Sequence, residues 1–266
     1  MILVRYGEIA LKGDNRIVFE RKLVENIRKC LEQNNIKADV RRATGRVLVD
    51  AERNAIDYLQ NVFGIVSLSK AVVVDVDFEK IKEKAVEMIK EKNAKTFRIS
   101  ARRIQKSLIP SQDMNVQIGA YVVEKLGLKV KLENPDVDLQ IEVADKAYVF
   151  TEVVQAVGGL PYGIEGTVLA LIEDKQGLQA AFLAMKRGCD IVPVAFKQQD
   201  ITILQKYSPK KLELKVLKKD ELADFAKQAN AKAIVTGETL NNLKWEFNFP
   251  ILRPLIGIED ENAHKL

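Results

Sequence analysis

The sequence predicts an α+β region followed by an α/β domain that is built on a parallel sheet. Two observations indicate this fold class. Amphipathic helices and short alternating strands are mixed over residues 1–157, whereas apolar strands and helices alternate regularly after the Gly-Gly-Leu-Pro sequence at residues 158–161. Regular strand–helix alternation is typical of βαβ units around a parallel sheet. A length of 266 residues also exceeds one typical domain.

The first region begins with a short strand at residues 2–6 and a turn in which Asp14 is expected to cap a helix. Phe19, Leu23, Ile27 and Leu31 recur at four-residue spacing and predict that helix. The predicted elements are the helix at 15–33, strands at 38–42 and 46–50, and a second helix at 54–62. The order β-α-β-β-α resembles a small ferredoxin-like unit, which we place at residues 1–60.

A second region with its own strands and helices is predicted at residues 61–157. A valine-rich strand at 70–75 precedes a helix that Asp77 caps, and Gly127 ends a later helix that starts at Ser111. Further strands are predicted at 96–104, 139–143 and 147–153. In the 96–104 strand, side-chain alternation places Arg98, Ser100 and Arg102 on one face, opposite Phe97, Ile99 and Ala101.

The charge pattern within residues 61–157 indicates a polyanionic partner. The chain carries a net charge of +5, and residues 92–112 hold six cations and no acid. These cations are Lys92, Lys95, Arg98, Arg102, Arg103 and Lys106. A solvated surface is the ordinary interpretation of a charge run, but a one-signed window of this length suits nucleic acid.

The last predicted domain, residues 158–266, is a small parallel-sheet domain. Its predicted strands lie at 168–172, 191–196, 212–217 and 233–236, and its predicted helices at 177–187 and at 220–229, the latter capped by Asp220. In nucleotide-binding domains of this kind, phosphate sits at the turn between the first strand and its helix. That turn is therefore the candidate nucleotide site.

Other function classes receive no support from the composition. No run of about 18 apolar residues is present, so we expect no membrane span. Cys30, Cys189 and the single histidine, His264, lie far apart, which predicts no metal site and no disulfide. We expect a reducing, cytoplasmic setting, and we assign neither a catalytic nor a metal-binding role to any residue.

Several motifs resemble those of the tRNA 4-thiouridine synthetase (thiamine-biosynthesis sulfurtransferase) family. They occur in the family's order: GEIALKGDNRIVFERKLVENI, VFGIVSLSKA, FRISARRIQKSLIPSQDMN, GGLPYGIEGTVLAL, AFLAMKRGC, IVTGETL and PILRPLIG. The resemblance implies an N-terminal ferredoxin-like domain, an RNA-binding THUMP domain, and a truncated PP-loop domain of the adenine-nucleotide α-hydrolase type. In that family the first two parts hold the tRNA acceptor end. The third adenylates uridine with ATP before a persulfide-bearing cysteine delivers sulfur.

The resemblance carries an RNA-binding role onto six basic residues. Lys12 and Arg16 match the first motif, and the rest match the THUMP motif. The six are Lys12, Arg16, Arg98, Arg102, Arg103 and Lys106. The implied partner is the acceptor end of tRNA, and a homodimer or a partner modification enzyme is a further expectation.

The nucleotide loop departs from the family pattern. The family has Ser-Gly-Gly-x-Asp-Ser, whereas this chain has Ile172, Glu173, Asp174, Lys175, Gln176 and Gly177. Backbone N–H groups need glycines to approach phosphate closely, and Glu173 and Asp174 place carboxylates where an anion would sit. We expect Asp174 to cap the helix and Glu173 to complement its dipole.

The sequence therefore predicts a tRNA-binding protein with no cofactor and without stand-alone ATP-dependent catalysis. An active or partner-completed tRNA uridine sulfurtransferase, which would use ATP and Mg²⁺, remains the alternative.

Overall fold

The computed structural model describes residues 1–104 and 110–258. The helices are α1 (Arg16–Gln33), α2 (Ile56–Leu59), α3 (Phe78–Lys90), α4 (Ser111–Leu126), α5 (Lys175–Lys186), α6 (Thr202–Gln205) and α7 (Leu222–Gln228). The strands are β1 (Ile2–Tyr6), β2 (Ala38–Ala43), β3 (Arg46–Ala51), β4 (Ile65–Lys70), β5 (Val72–Val74), β6 (Thr96–Arg103), β7 (Lys129–Val130), β8 (Val137–Val143), β9 (Ala147–Phe150), β10 (Val154–Gln155), β11 (Gly166–Leu171), β12 (Cys189–Ala195), β13 (Lys215–Val216), β14 (Ile234–Val235) and β15 (Ile251–Leu252). None of the helices in the described part of the chain is both long and apolar enough to cross a membrane.

The chain divides into two compact units. The first comprises Met1–Arg5, Asp39–Ala51 and Ser67–Val154, and the second comprises Tyr6–Ala38, Glu52–Val66 and Gln155–Leu266. Each unit thus draws on segments that are distant in sequence. The predicted domain boundaries at residues 60 and 157 stay predictions.

The first unit contains most of two five-stranded sheets. One sheet has the order β10-β4-β1-β3-β2, in which β1 and β3 pair antiparallel. The other has the order β5-β9-β8-β6-β7, in which β6 pairs parallel with β7 and β8. Its apolar core forms where the buried residues of α3 and α4, such as Ile81, Ile89 and Met114, pack against Phe97 and Leu139.

The second unit contains the predicted parallel sheet. Its strand order is β13-β12-β11-β14-β15, and every neighbouring pair is parallel. The parallel arrangement predicted for this region is therefore confirmed. The apolar face of α1 is also confirmed, because Leu23, Ile27 and Leu31 are buried.

Several element predictions were wrong in their bounds. The sequence did not predict β4. It predicted one strand at 70–75, where the structure has the shorter β5. The helix predicted at 54–62 reduces to the four residues of α2, and the strand predicted at 212–217 reduces to β13. Short elements such as these have too few residues for a hydrophobic period to fix their ends.

Two helices begin at the caps that the sequence predicts. Asp77 accepts hydrogen bonds from the backbone N–H groups of Glu79 and Lys80 at the start of α3. Asp174 accepts from Gly177 N at 2.9 Å and caps α5. In both cases a carboxylate satisfies N–H groups that the first helical turn leaves without an intrahelical partner.

Two other predicted caps were wrong. Asp14 lies in a 3-10 turn, and α1 begins without a side-chain cap. Before α7, Glu221 rather than Asp220 accepts a bond from Lys218 N, at 2.8 Å. In both places a short 3-10 segment precedes the helix and shifts its first turn away from the predicted residue.

Gly158 and Gly159 are required to be glycine to different degrees. Gly158 has φ +70°, and a Cβ added there would have no atom within 4 Å, so only its backbone angle favours glycine. Gly159 has φ +80°, and a Cβ there would lie 2.2 Å from the backbone oxygen of Lys186. The end of α5 therefore approaches the chain closely at this residue.

We expect Gly159→Ala to be much more destabilising than Gly158→Ala. The positive φ lowers the free energy of unfolding of each variant by about 1–2 kcal/mol. In Gly159→Ala, the collision with Lys186 lowers it by about a further 1–3 kcal/mol. Urea denaturation of both variants measures the difference. Equal midpoints would show that the close approach to α5 is not a constraint.

Candidate nucleic-acid interface

Strand β6 presents one buried and one polar face, as its sequence predicts. Phe97 and Ile99 are buried in the core of the first unit. Arg98 and Ser100 are half-buried on the other face, and Arg102 is exposed. The alternation therefore brings Arg98 and Arg102 to the same surface, with Ser100 between them.

Acidic side chains reach this surface from the neighbouring strand. The parallel register of β6 and β8 sets Arg98 beside Asp138 and Arg102 beside Glu142. Arg98 forms an ion pair with Asp138 and donates a second hydrogen bond to Leu132 O at 2.8 Å. Burial of Asp138 opposes its ionisation, but hydrogen bonds from Arg98 and Ser100 outweigh this and lower the pKa of the carboxyl. Although residues 92–112 contain no acidic residue, the surface they form therefore includes acidic side chains from β8.

Glu142 is buried between two arginines of the first unit. The residue is 6% exposed. Its carboxylate accepts from Arg5 Nε at 2.6 Å and from Arg46 Nε at 2.8 Å. Burial lowers the pKa of Arg5, and the charge of Glu142 opposes that shift. The Arg5 guanidinium also lies 4.5 Å from the Phe150 ring centroid and donates to Ser69 Oγ at 3.1 Å.

A groove of about 690 Å³ lies along this surface. Its walls include Arg5, Arg98, Arg102, Asn115 and Gln140. Two buried guanidinium nitrogens, Arg5 Nη2 and Arg98 Nε, have no hydrogen-bond partner among the described residues. Because an unpaired buried donor is unfavourable, this groove is suited to an anionic acceptor such as a phosphate.

The other predicted RNA-binding residues lie elsewhere. Arg103 is half-buried and does not line the groove, because strand alternation directs it away from Arg102. Lys106 lies outside the described residues. In the second unit, the Lys12 ammonium is 4.7 Å from the Phe19 ring centroid.

Arg16 is held by a polar cluster within the second unit. It donates to Glu20 Oε1 at 2.8 Å and to Tyr6 Oη at 2.6 Å, and Tyr6 donates to the same Glu20 oxygen at 2.5 Å. Burial, with the hydrogen bond to Glu20, raises the pKa of Tyr6 to about 12. The cluster fixes the Arg16 guanidinium, whose side chain remains 37% exposed.

The turn between β11 and α5, residues 172–177, carries the candidate nucleotide residues. Asp174 uses its carboxylate to cap Gly177, as described above, and Glu173 Oε1 accepts from Phe196 N at 2.8 Å. Lys175 is exposed and Gln176 is half-buried. The prediction that Asp174 caps the helix is confirmed, and Glu173 bonds to the residue that directly follows β12.

Among the described residues, little free space exists beside this turn. The cavity lined by Glu173, Asp174, Gly177 and Gly237 has a volume of about 10 Å³. A Cβ on Gly237 would lie 2.3 Å from Gly177 N, so the two backbone segments are nearly in contact. In the described residues, the space beside the turn is therefore smaller than a nucleotide.

Glu238, next to Gly237, organises the wall of that cavity. Its carboxylate is 1% exposed and accepts from Thr236 Oγ1 at 2.8 Å, Arg253 Nε at 2.8 Å and Trp245 N at 2.7 Å. Burial would raise the pKa of this carboxyl, but the hydrogen bonds outweigh burial and lower it. These bonds tie the segment after β14 to itself and to Arg253, which follows β15.

Sequence reasoning missed several residues of the groove, among them Arg5, Gln140 and Glu142. Arg5 and Glu142 are charged residues within otherwise apolar strand sequences. Such a charge could have marked both residues as candidates for a polar site. Which side chain each one pairs with depends on strand register, which the sequence does not provide.

Comparisons with known proteins define the class of this chain. Family models identify a ThiI ferredoxin-like domain at residues 1–69 and a THUMP domain at residues 75–152. Together with the parallel sheet, these domains make it a multidomain THUMP protein of the kind predicted from the motifs.

Curated relatives extend the similarity to the whole chain. The probable tRNA sulfurtransferase of Methanocaldococcus jannaschii is 35% identical over 330 aligned positions, which cover 100% of this chain and 86% of the relative. The corresponding protein of Thermococcus kodakarensis is 33% identical, over 98% of this chain and 85% of the relative. The chain belongs to the tRNA sulfurtransferase family. Because the first alignment is longer than 266 residues, the relative has positions without a counterpart here.

Solved structures support the same fold. The crystal structure of PH1313 from Pyrococcus horikoshii matches with a TM-score of 0.86 and 31% identity, over 98% of this chain and 96% of that chain. A 4-thiouridine synthetase solved in complex with RNA and with bound ATP matches with a TM-score of 0.78 and 28% identity, over 98% of this chain and 82% of that chain. The predicted fold class is confirmed.

Replacement of Glu142 by glutamine tests the central ion-pair cluster. We expect Glu142→Gln to reduce the free energy of unfolding by about 3–5 kcal/mol, because Arg5 and Arg46 would lose their buried counter-charge. The control is Glu152→Gln, which breaks the exposed pair with Lys92 and should cost at most about 1 kcal/mol. Chemical denaturation of both variants provides the comparison, and equal losses would contradict a central role for Glu142.

Proposed function

We propose that this chain is a tRNA-binding protein of the tRNA sulfurtransferase family that does not carry out ATP-dependent catalysis by itself. RNA binding rests on the groove of the first unit, which arginines line and where two buried guanidinium nitrogens lack acceptors among the described residues. The THUMP domain and the RNA complex of a similar 4-thiouridine synthetase support the same assignment. Since tRNA is the proposed partner, we propose a cytoplasmic location.

The groove chemistry favours contacts with the RNA backbone. Guanidinium groups donate paired hydrogen bonds that match phosphate geometry, whereas the Asn115 amide oxygen is already engaged by Ala101 N at 2.7 Å. Arg102 is exposed and is readily accessible to phosphate. Arg98 is partly neutralised by Asp138, so its main contribution is its unpaired Nε–H group. Lys12 and Arg16 in the second unit remain proposed RNA contacts.

The absence of stand-alone catalysis rests on a single observation, the geometry of the β11–α5 turn. Its helix N-terminus is already capped by the Asp174 carboxylate, and the cavity that the described residues leave beside it has a volume of about 10 Å³. Two carboxylates at this position would repel the negative charges of a triphosphate. We accordingly propose that ATP, with the Mg²⁺ that would accompany it, does not bind here.

A second candidate function is a partner-completed tRNA uridine sulfurtransferase. It is favoured by the similarity to tRNA sulfurtransferases over the whole chain and by the bound ATP of the similar 4-thiouridine synthetase structure. In that case another subunit would supply the nucleotide site or the sulfur-carrying cysteine, and this chain would hold the tRNA.

Replacement of Arg102 tests RNA binding. We expect Arg102→Ala to weaken binding of a tRNA acceptor-stem RNA about five- to tenfold and to reduce the slope of log K against log salt by about 1, because one phosphate contact is lost. Fluorescence anisotropy over a salt series measures both quantities. The matched control is Lys90→Ala at the end of α3, which also removes one exposed positive charge.

Unchanged RNA affinity in Arg102→Ala, or an equal loss in Lys90→Ala, would contradict the groove as the interface. The first result would place RNA elsewhere, and the second would indicate attraction by net charge alone.

Calorimetric titration with ATP and Mg²⁺ tests the second part of the proposal. We expect no saturable heat that Lys175→Ala removes, since the turn has little room and Asp174 already occupies the N–H group of Gly177. Repeating the titration in the presence of acceptor-stem RNA controls for a site that RNA completes. Saturable binding that Lys175→Ala weakens would contradict the proposal and favour an active enzyme.

A further inference from the structure

The second unit contains a large cavity that the β11–α5 turn does not use. Its volume is about 650 Å³, and its walls come from α1, from residues 58–63 and from residues 205–211. Ligand sites in proteins are typically about 300–1,000 Å³ in volume. None of its lining residues lies in the 172–177 turn.

Aromatic rings form much of the cavity wall. Phe63 and Tyr207 line it, and their ring centroids are 5.6 Å apart. Phe182 packs against both, 5.4 Å from Phe63 and 4.9 Å from Tyr207. Tyr58 is 41% exposed on the same wall. Rings fixed in this way provide rigid surfaces on which a planar heteroaromatic group stacks.

A buried amide in the wall has an unused acceptor. Asn26 is 2% exposed, and its Nδ2 donates to Tyr162 O at 3.0 Å. Its Oδ1 has no hydrogen-bond partner among the described residues. The amides of Asn34 and Asn61 also line the cavity. Amide side chains pair with the donor and acceptor edges of nucleobases, and an N–H group on a base would satisfy Asn26 Oδ1.

A lysine at the cavity provides positive charge for an anionic group. Lys206 is exposed, and its ammonium lies 4.8 Å from the Tyr207 ring centroid. Lys211 also lines the cavity but is partly neutralised by Glu213 at 3.4 Å. The Cys30 thiol in the same wall has a pKa raised to about 11 by burial, so it stays neutral near pH 7. Lys206 is therefore the principal cation that the described cavity wall offers to a phosphate.

We propose that this cavity binds a nucleotide. The base stacks against the Tyr58 and Tyr207 region, an N–H of the base bonds to Asn26, and the phosphate pairs with Lys206. The same chemistry is present in a free nucleoside monophosphate and in an unpaired nucleotide of a bound RNA. Neither source requires the β11–α5 turn, so this inference is independent of the proposed lack of ATP-dependent catalysis.

Saturation-transfer NMR on the full chain tests the site with AMP, GMP, CMP and UMP. We expect saturation of the base protons of at least one mononucleotide, and at least about a fivefold loss of affinity in Lys206→Ala. Lys227→Ala, which removes an exposed lysine on α7, is the matched control and should leave affinity unchanged.

A second arm detects a nucleotide that belongs to RNA. Acceptor-stem RNA carrying 5-bromouridine is irradiated with the protein, and the cross-linked peptides are mapped. A cross-link within residues 58–63 or 205–211, without mononucleotide binding, identifies the RNA as the source. Absence of both signals overturns the proposal. Mononucleotide binding that is lost in Lys175→Ala but kept in Lys206→Ala also overturns it, because the nucleotide would then lie at the β11–α5 turn.

Discussion

The buried carboxylate of Glu142 is the interaction on which the first unit depends. It joins β8 of one sheet to Arg5 on β1 and Arg46 on β3 of the other. Removing a charge from water costs several kcal/mol per ion, so these groups are stable only while all three are present together. The ring of Phe150, which belongs to an apolar cluster with Leu48, packs against one side of this group, 4.5 Å from the Arg5 guanidinium.

The same ion pairs determine what the groove offers to a ligand. Of the four guanidinium groups at or near it, Arg5 and Arg46 share Glu142, and Arg98 is paired with Asp138. The carboxylates therefore orient three arginines and offset their positive charge, while Arg102 remains exposed. For the RNA contact proposed above, such an arrangement would limit non-specific attraction and position the remaining N–H groups, which would favour a defined phosphate over a diffuse polyanion.

The sequence predicted most of the fold because long elements repeat their apolar residues regularly. The buried face of α1, the alternation of β6 and the parallel sheet all followed from such periods. The pairing of Arg98 with Asp138 could not be predicted, because these residues are far apart in sequence and meet only through the register of β6 and β8. Short elements such as α2 and β13 likewise depend on tertiary contacts rather than on local pattern.

The β11–α5 turn satisfies the N-terminus of its helix with a side chain of its own. A helix N-terminus has free N–H groups, and either a bound anion or a side-chain carboxylate can satisfy them. Here Asp174 satisfies Gly177 N and thereby stabilises the first turn of α5. Gly177 and Gly237 have a separate reason to be glycine, because a Cβ on either would lie less than 3.0 Å from neighbouring backbone atoms. Glycine at this turn therefore reflects close backbone packing, and it does not by itself indicate a nucleotide site.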